Sequence, residues 1–229
     1  MTILKKVLKT FGIILLILFP FLGGALLSKY SPYTDGNSMT SFVVIYSLFV
    51  LCSVLVLLYL TNKFKRFLVQ PILPAILLFF VGFVMMGIAG LAAPPDLTIK
   101  MLEHPEREHC RYIVLFIGAI FFGLYFINLF INNSLQLKNT FKWIMIAIFT
   151  LVMIELLWEF SHHYLYPEGL KEWVDNGNKA EDFNKTYDDW KMITTGSIGR
   201  FFIYILMLLL SLRLYKIRRI AIWNPIINM

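Results

Sequence analysis

The chain is 229 residues long, and its composition is typical of a membrane protein. Apolar and aromatic residues make up 59% of the chain and charged residues only 15%, with a mean hydropathy of +0.72. A soluble domain carries about 25% charged residues, so this chain has more apolar surface than a core of its size can bury. The composition therefore excludes a water-soluble globule, a disordered chain and a disulfide-rich secreted domain.

Six apolar stretches are long enough to cross a bilayer as helices, which takes about 20 residues each. No alternation of apolar and polar residues indicates a barrel. We therefore predict an all-α integral membrane protein, a six-transmembrane-helix bundle that forms one domain over residues 1–229. The first stretch is interpreted as a retained helix, because its apolar run exceeds the roughly 7–15 residues of a signal peptide. The predicted spans are about 7–28, 41–61, 71–93, 112–132, 143–162 and 198–215.

Basic residues without acidic neighbours occupy alternate connections between these spans. By the positive-inside rule those connections are cytoplasmic, which predicts an N-in/C-in topology with both termini in the cytoplasm. The net charge of +7 and the pI near 9.4 then reflect membrane orientation and contacts with anionic lipid headgroups. Binding of nucleic acid is not expected. The residues concerned are Lys5, Lys6, Lys9, Lys63, Lys65, Arg66, Lys138, Lys142, Arg213, Lys216, Arg218 and Arg219.

The longest polar connection is an outer cap segment, about 163–197, between the fifth and sixth spans. Pro167 is typical of a helix start and Gly177 of a helix end. A second helix is predicted from about 179 to 193, ending at Gly196. The cap is thus expected to consist of short extracytoplasmic helices that lie against the lipid headgroups.

The fifth span carries an unusual polar cluster. Spacings of four, then three or four, place Glu155, Glu159 and either His162 or His163 on one helical face. A carboxylate in hydrocarbon costs about 3 kcal/mol on insertion scales, which makes it a candidate functional group. The alternatives are a structural role for Glu155, protonated or paired, and a simple ion pair between Glu159 and Arg200.

A second pattern indicates a metal site. Glu159 and His162 form a Glu-x-x-His motif, and Glu106 and His109 repeat it at the outer start of the fourth span. Facing helices with this motif hold two metal ions in di-iron carboxylate proteins, where two further carboxylates complete the site. The same residues also suit helix ends without a metal, because acids stabilise helix starts and histidines stabilise helix ends. The candidate ligands for iron or zinc are Glu103, Glu106, His109, Glu159 and His162, with Glu155 as a further carboxylate.

The chain carries no Gly-rich phosphate-binding unit and no hydrolase elbow motif. The leading hypothesis is therefore non-enzymatic. It is a multi-pass subunit or accessory protein that binds a lipid, an ion or a partner membrane protein, or a second copy of itself, through its acidic, His-containing outer face. One alternative is a membrane-embedded metalloenzyme, an oxidase or hydroxylase acting on a lipid; another is a proton-coupled carrier or channel using Glu155. The richness in Ile, Phe, Lys and Asn favours a bacterial inner-membrane location.

Overall fold

The structure, a computed structural model, describes residues 3–30, 38–60, 72–91, 101–187 and 190–222. These residues are helical apart from short connections, and they contain no strand. A π-helical segment, Met86–Gly90, directly continues the fourth helix. The helices are α1 (Ile3–Ile17), α2 (Phe19–Tyr30), α3 (Met39–Leu60), α4 (Leu73–Met85), α5 (Pro105–Ile131), α6 (Asn139–Tyr164), α7 (Tyr166–Asp175), α8 (Ala180–Tyr187) and α9 (Trp190–Lys216).

Four helical segments in the described ranges are long and apolar enough to cross a membrane. Many of their large apolar side chains lie on the outside of the bundle; Ile131 is 75% exposed and Phe201 61% exposed. Such surfaces are unfavourable in water and favourable in lipid, so the chain is an α-helical membrane protein. The segments overlap the second, fourth, fifth and sixth predicted spans; they are Met39–Leu60, Pro105–Ile131, Asn139–Asp175 and Gly196–Lys216.

The first predicted span, about 7–28, consists of two helices. α1 has 15 residues and α2 has 12, so neither half alone is as long as a membrane span. The two meet in a bend at Leu18, whose N–H still donates to the Ile14 carbonyl at 2.9 Å. Pro20 has no backbone N–H, so it cannot bond to the carbonyl four residues earlier, and a bend is favoured here.

The third predicted span, about 71–93, is described over residues 72–91. Its described part contains the 13 residues of α4 and the five-residue π-helical segment; both ends of the prediction lie outside the described residues. Gly87 of the π-helical segment lies against α5, where a Cβ would be 2.8 Å from the Leu115 Cγ. The altered winding therefore occurs at a close contact with α5.

Helices that follow one another in sequence are neighbours in the bundle. α3 packs against α4, α4 against α5, and α5 against α6; α9 packs against α6, and α1 and α2 lie against α3. Glycines allow close approach, as is common in membranes. A Cβ on Gly82 would lie 2.5 Å from the Val50 Cγ2, and one on Gly118 would lie 3.2 Å from the Val84 Cγ2. The α4–α5 and α6–α9 pairs enclose a cavity between them.

The two ends of the bundle differ in charge. The acidic end is formed by residues 101–111 together with α7, and the basic end by residues 132–142 together with 213–219. At the acidic end, α7 follows α6 after a single residue, Leu165. Gly177 follows α7 with a φ of +82°, a left-handed conformation that glycine adopts without steric cost and that suits a helix end.

The predicted second cap helix is wrong at its carboxyl end. α8 ends at Tyr187, and α9 already begins at Trp190 and runs through Gly196 into the last span. A glycine inside a helix costs only about 1 kcal/mol relative to alanine, and packing of α9 against α6 outweighs this cost. The Arg200 Nε also donates a hydrogen bond to the Gly196 carbonyl at 3.1 Å, so this carbonyl has a side-chain donor from one turn later in α9.

Candidate functional site

Glu155 lies on α6 at its contact with α9 and is 8% exposed. Its carboxyl group packs directly against Gly199 of α9, so that a Cβ at that position would overlap it. Within the part of the chain that the structure describes, neither carboxyl oxygen makes a hydrogen bond. Glu159, one turn further along α6, and Arg200, next to Gly199, are the charged groups that act on this carboxyl. The structure thus brings together three members of the predicted polar cluster.

A crevice on the outside of the bundle opens beside Glu155. It has a volume of about 210 Å³ and is walled by apolar side chains of α6 and α9. Ile154 is 60% exposed and Trp158 41% exposed at its rim, so the crevice faces the surroundings of the bundle. The Glu155 carboxyl therefore lies where a lipid-facing surface and the α6–α9 contact meet.

A second, larger cavity lies between four helices of the bundle. Its volume is about 360 Å³, and it extends between α4, α5, α6 and α9. Arg111, Glu159 and Arg200 contribute charged groups to its wall, next to the phenol ring of Tyr112. The rest of the wall is apolar and consists of Phe80, Val84, Ile88, Leu115, Ala119, Phe122, Leu156, Phe160 and Ile203.

Arg111 is held in this wall by a buried carboxylate that sequence reasoning missed. Glu108 is only 3% exposed, and its Oε2 lies 3.2 Å from Nη1 of Arg111. The two residues are three apart on α5, a spacing at which opposite charges pair on a helix, and this spacing was the available signal. The Arg111 guanidinium also lies 5.2 Å from the ring centroid of Tyr112, which further restricts its orientation.

His109 connects α5 to the cap. Its Nε2 lies 2.9 Å from Oε1 of Glu168 on α7, and its ring centroid is 4.8 Å from that of Tyr164 at the end of α6. His104, just before α5, lies with its Nδ1 3.2 Å from Oε1 of Glu106. These histidines therefore contact carboxylates of their own surroundings rather than the carboxylates of α6.

The two remaining histidines lie in aromatic contacts at the end of α6. The His163 ring stacks on Tyr112 of α5, with a centroid distance of 5.4 Å and an angle of 11° between the planes. The His162 ring stacks on Trp158, one turn earlier on the same helix, at 6.0 Å. The start of α5 and the end of α6 therefore meet through aromatic rings.

The predicted metal ligands do not form a metal-binding group in the described ranges. No cluster of three or more His, Cys, Asp or Glu side chains with suitable placement occurs there. His109 is directed to Glu168, while Glu103 and Glu106 are exposed. Two ligand pairs without a shared centre would leave a metal ion incompletely coordinated. The iron or zinc site stays a prediction without geometric support.

Comparisons with known proteins add no relative from which a role could be transferred. The chain matches no protein-family model, no curated protein sequence and no solved structure. The functional interpretation consequently depends on the two cavities, their charged residues and the chemistry of each.

Proposed function

We propose that this protein is a non-enzymatic lipid-binding subunit or accessory protein of a membrane, which holds one lipid in the cavity between α4, α5, α6 and α9. The observation that carries the proposal is the combination of a long apolar wall with charged groups in one cavity of about 360 Å³. Small-molecule sites in proteins have volumes of about 300–1,000 Å³ and are mostly apolar with a few polar groups.

The wall of the cavity fits the two chemical parts of a lipid. Aromatic and aliphatic side chains, among them Phe80 and Phe122, would contact an acyl chain. Glu159 and Arg200 supply both signs of charge, and the guanidinium of Arg111 is already paired with Glu108. A headgroup that carries a phosphate together with an amine or hydroxyl groups would satisfy both signs.

The membrane topology is part of the same proposal. Six crossings, with the α1–α2 pair as the first and α4 with its π-helical continuation as the third, would place both termini in the cytoplasm. The acidic end would then face outward in a bacterial inner membrane. There α7 would offer its exposed charged side chains, such as Glu172, to a partner membrane protein or to a second copy of the chain.

A matched pair of variants on α9 tests lipid binding. Ile203 lines the cavity, whereas its neighbour Tyr204 is 69% exposed and points away from it. Ile203→Trp would fill the cavity, and Tyr204→Trp would add similar bulk on the outside. We expect native mass spectrometry to find one tightly held lipid fewer on Ile203→Trp than on the wild type and on Tyr204→Trp. Equal retention by both variants would contradict the proposal.

A proton-coupled carrier is the second candidate, and the position of Glu155 favours it. A buried carboxyl that makes no hydrogen bond to any described residue, beside a lipid-facing crevice, is suited to take up and release a proton. In proteoliposomes, Glu155→Gln would abolish proton flux while retaining the bound lipid. Absence of proton flux in the wild type would exclude this function and leave lipid binding unaffected.

A further inference from the structure

A groove at the basic end of the bundle lies far along α6 and α9 from Glu155. It is formed where α6 begins and α9 ends, and its volume is about 620 Å³. Lys138, Arg213 and Lys216 line it together with Gln136 and apolar side chains such as Phe141 and Leu212. The groove thus combines three cationic groups with an apolar floor.

Arg213 builds this groove by holding the connection between α5 and α6. Its Nε donates to the Leu135 carbonyl at 2.6 Å, and its Nη2 donates to the carbonyl of Gln136. The connection is further shaped by Asn133, whose side-chain oxygen accepts a hydrogen bond from the Leu137 N–H at 3.2 Å. These bonds hold the connection that leads into α6 against the end of α9, and Lys138 and Lys216 both line the groove there.

The groove carries positive charge from its cationic side chains and from the start of α6. No Asp or Glu occurs in residues 132–142 or 213–229, so the sequence offers no local carboxylate to neutralise these cations. Lys138 directly precedes α6 as its N-cap residue, and its side chain makes no capping hydrogen bond. The first turn of α6 also contains no acidic residue. The N–H groups of a helix start carry partial positive charge, which adds to the charge of the lysines.

We propose that this groove binds an anionic phospholipid from the adjacent leaflet. The phosphate would lie between Lys138 and Lys216, and one acyl chain would follow Phe141 and Leu212. Basic pockets between membrane helices recognise anionic headgroups in this way. A lipid is favoured over a free phosphate because half of the side chains that line the groove are apolar.

The test compares phosphatidylglycerol with phosphatidylcholine as probes. The protein is reconstituted in nanodiscs that contain both lipids and released for native mass spectrometry, which counts the retained lipids by mass. The wild type is expected to retain phosphatidylglycerol preferentially. In Lys138→Ala/Lys216→Ala we expect affinity for phosphatidylglycerol to fall by about fivefold for each lysine removed.

The matched control removes the same charge elsewhere. Lys5→Ala/Lys6→Ala changes two exposed lysines of α1 that do not line the groove, and it should retain phosphatidylglycerol like the wild type. Leu212→Trp leaves the cations in place but fills the apolar floor, and it should also lose the lipid. Competition by glycerol 3-phosphate alone should fail.

Three results would overturn the proposal. Equal loss of phosphatidylglycerol from both double lysine variants would show that only general surface charge acts. Undiminished retention by Leu212→Trp would show that no acyl chain occupies the groove. Full displacement by glycerol 3-phosphate would show a site for a soluble phosphate compound instead. Thermal unfolding of each variant verifies that the fold is retained. If Lys138→Ala/Lys216→Ala does not fold, Lys138→Gln/Lys216→Gln is used in its place.

Discussion

Gly199 lies against the carboxyl group of Glu155, at the contact between α9 and α6. A Cβ at residue 199 would occupy space already taken by the Cγ and Cδ atoms of Glu155, so the two helices could not keep their present distance. Arg200, the next residue, lies in the wall of the cavity between α4, α5, α6 and α9. A single glycine therefore links the packing of α9 to the proposed lipid site.

Gly199→Ala is predicted to destabilise the protein. Inserting a methyl group into a closely packed contact costs about 1–3 kcal/mol, because side chains and backbone must shift. Thermal unfolding in detergent should show a lower Tm. Gly196→Ala is the control on the same helix, since its Cβ would meet only the flexible end of the Arg200 side chain, at 3.1 Å from Nη2.

The double variant Gly199→Ala/Glu155→Ala should regain most of the lost stability. Glu155→Ala removes the atoms that the new methyl group would overlap, so the two changes are not additive. If Gly199→Ala unfolds at the same temperature as the wild type, the close contact between residues 155 and 199 is absent in solution.

Glu155→Gln is predicted to leave stability unchanged or to raise it slightly. Glu155 is 8% exposed, and its carboxyl group makes no hydrogen bond within the described residues. Few interactions therefore stabilise the ionised carboxylate in a membrane. The neutral amide has a similar volume and keeps the packing against Gly199. Thermal unfolding measures the difference, with Glu159→Gln as the comparison. A loss of more than about 2 kcal/mol would show that the structure needs the ionised carboxylate.

Breaking the contact between His109 and Glu168 is predicted to loosen α7 locally. Both side chains are partly exposed, and such pairs contribute only about 0.2–1 kcal/mol. In Glu168→Ala, backbone hydrogen exchange in α7 should become faster while global unfolding hardly changes. Glu172→Ala on the same helix should have no such effect, and His109→Ala should add little to Glu168→Ala. Unchanged exchange in Glu168→Ala would rule out a positioning role for this pair.

Arg213→Ala is predicted to destabilise the connection between α5 and α6. The substitution leaves the carbonyls of Leu135 and Gln136 without their donor, at a cost of about 1–3 kcal/mol. Limited proteolysis should cut this connection faster, and the Tm should fall. Arg219→Ala, at an exposed position, removes the same charge and should leave both measurements unchanged. If the hydrogen bonds matter more than the charge, Arg213→Lys should show the same proteolysis rate and Tm as Arg213→Ala.

The metal content of the purified protein tests the Glu-x-x-His hypothesis. Because His109 contacts Glu168 and His162 stacks on Trp158, we expect His109→Ala/His162→Ala to contain the same amounts of iron and zinc as the wild type. Elemental mass spectrometry after chelator-free purification measures both. A stoichiometric metal that is lost in the variant would show that the ends of α5 and α6 rearrange around an ion.

Local signals in the sequence located most of the helices. Apolar stretches of sufficient length predicted α3, α5, α6 and α9, because the cost of unpaired backbone groups in lipid requires helices there. Pro167 and Gly177 correctly bounded α7 within two residues. The helix end predicted at Gly196 was wrong. A single glycine weakens a helix only slightly, and packing of α9 against α6 keeps the chain helical at this position.

Side-chain partners could not be predicted in the same way. The sequence grouped Glu155, Glu159 and Arg200, which the structure brings together, but it also paired His109 with α6, whereas the structure places it on Glu168 of the cap. Glu-x-x-His spacing defines positions on one helix only, and the rotation of each helix relative to its neighbours decides which groups meet.

The sequence by itself determined that this is a helical membrane protein, because hydropathy over about 20 residues is a local property. It also determined the separation of acidic and basic connections. Only the tertiary structure decided that Gly199 faces Glu155, that Arg111 pairs with Glu108, and that cavities lie between helix pairs. The reason is that the apolar residues of α6 and α9 are spread over all sides of each helix and do not form one apolar face. The sum of many small packing contacts, rather than any periodic pattern, therefore decides which faces meet.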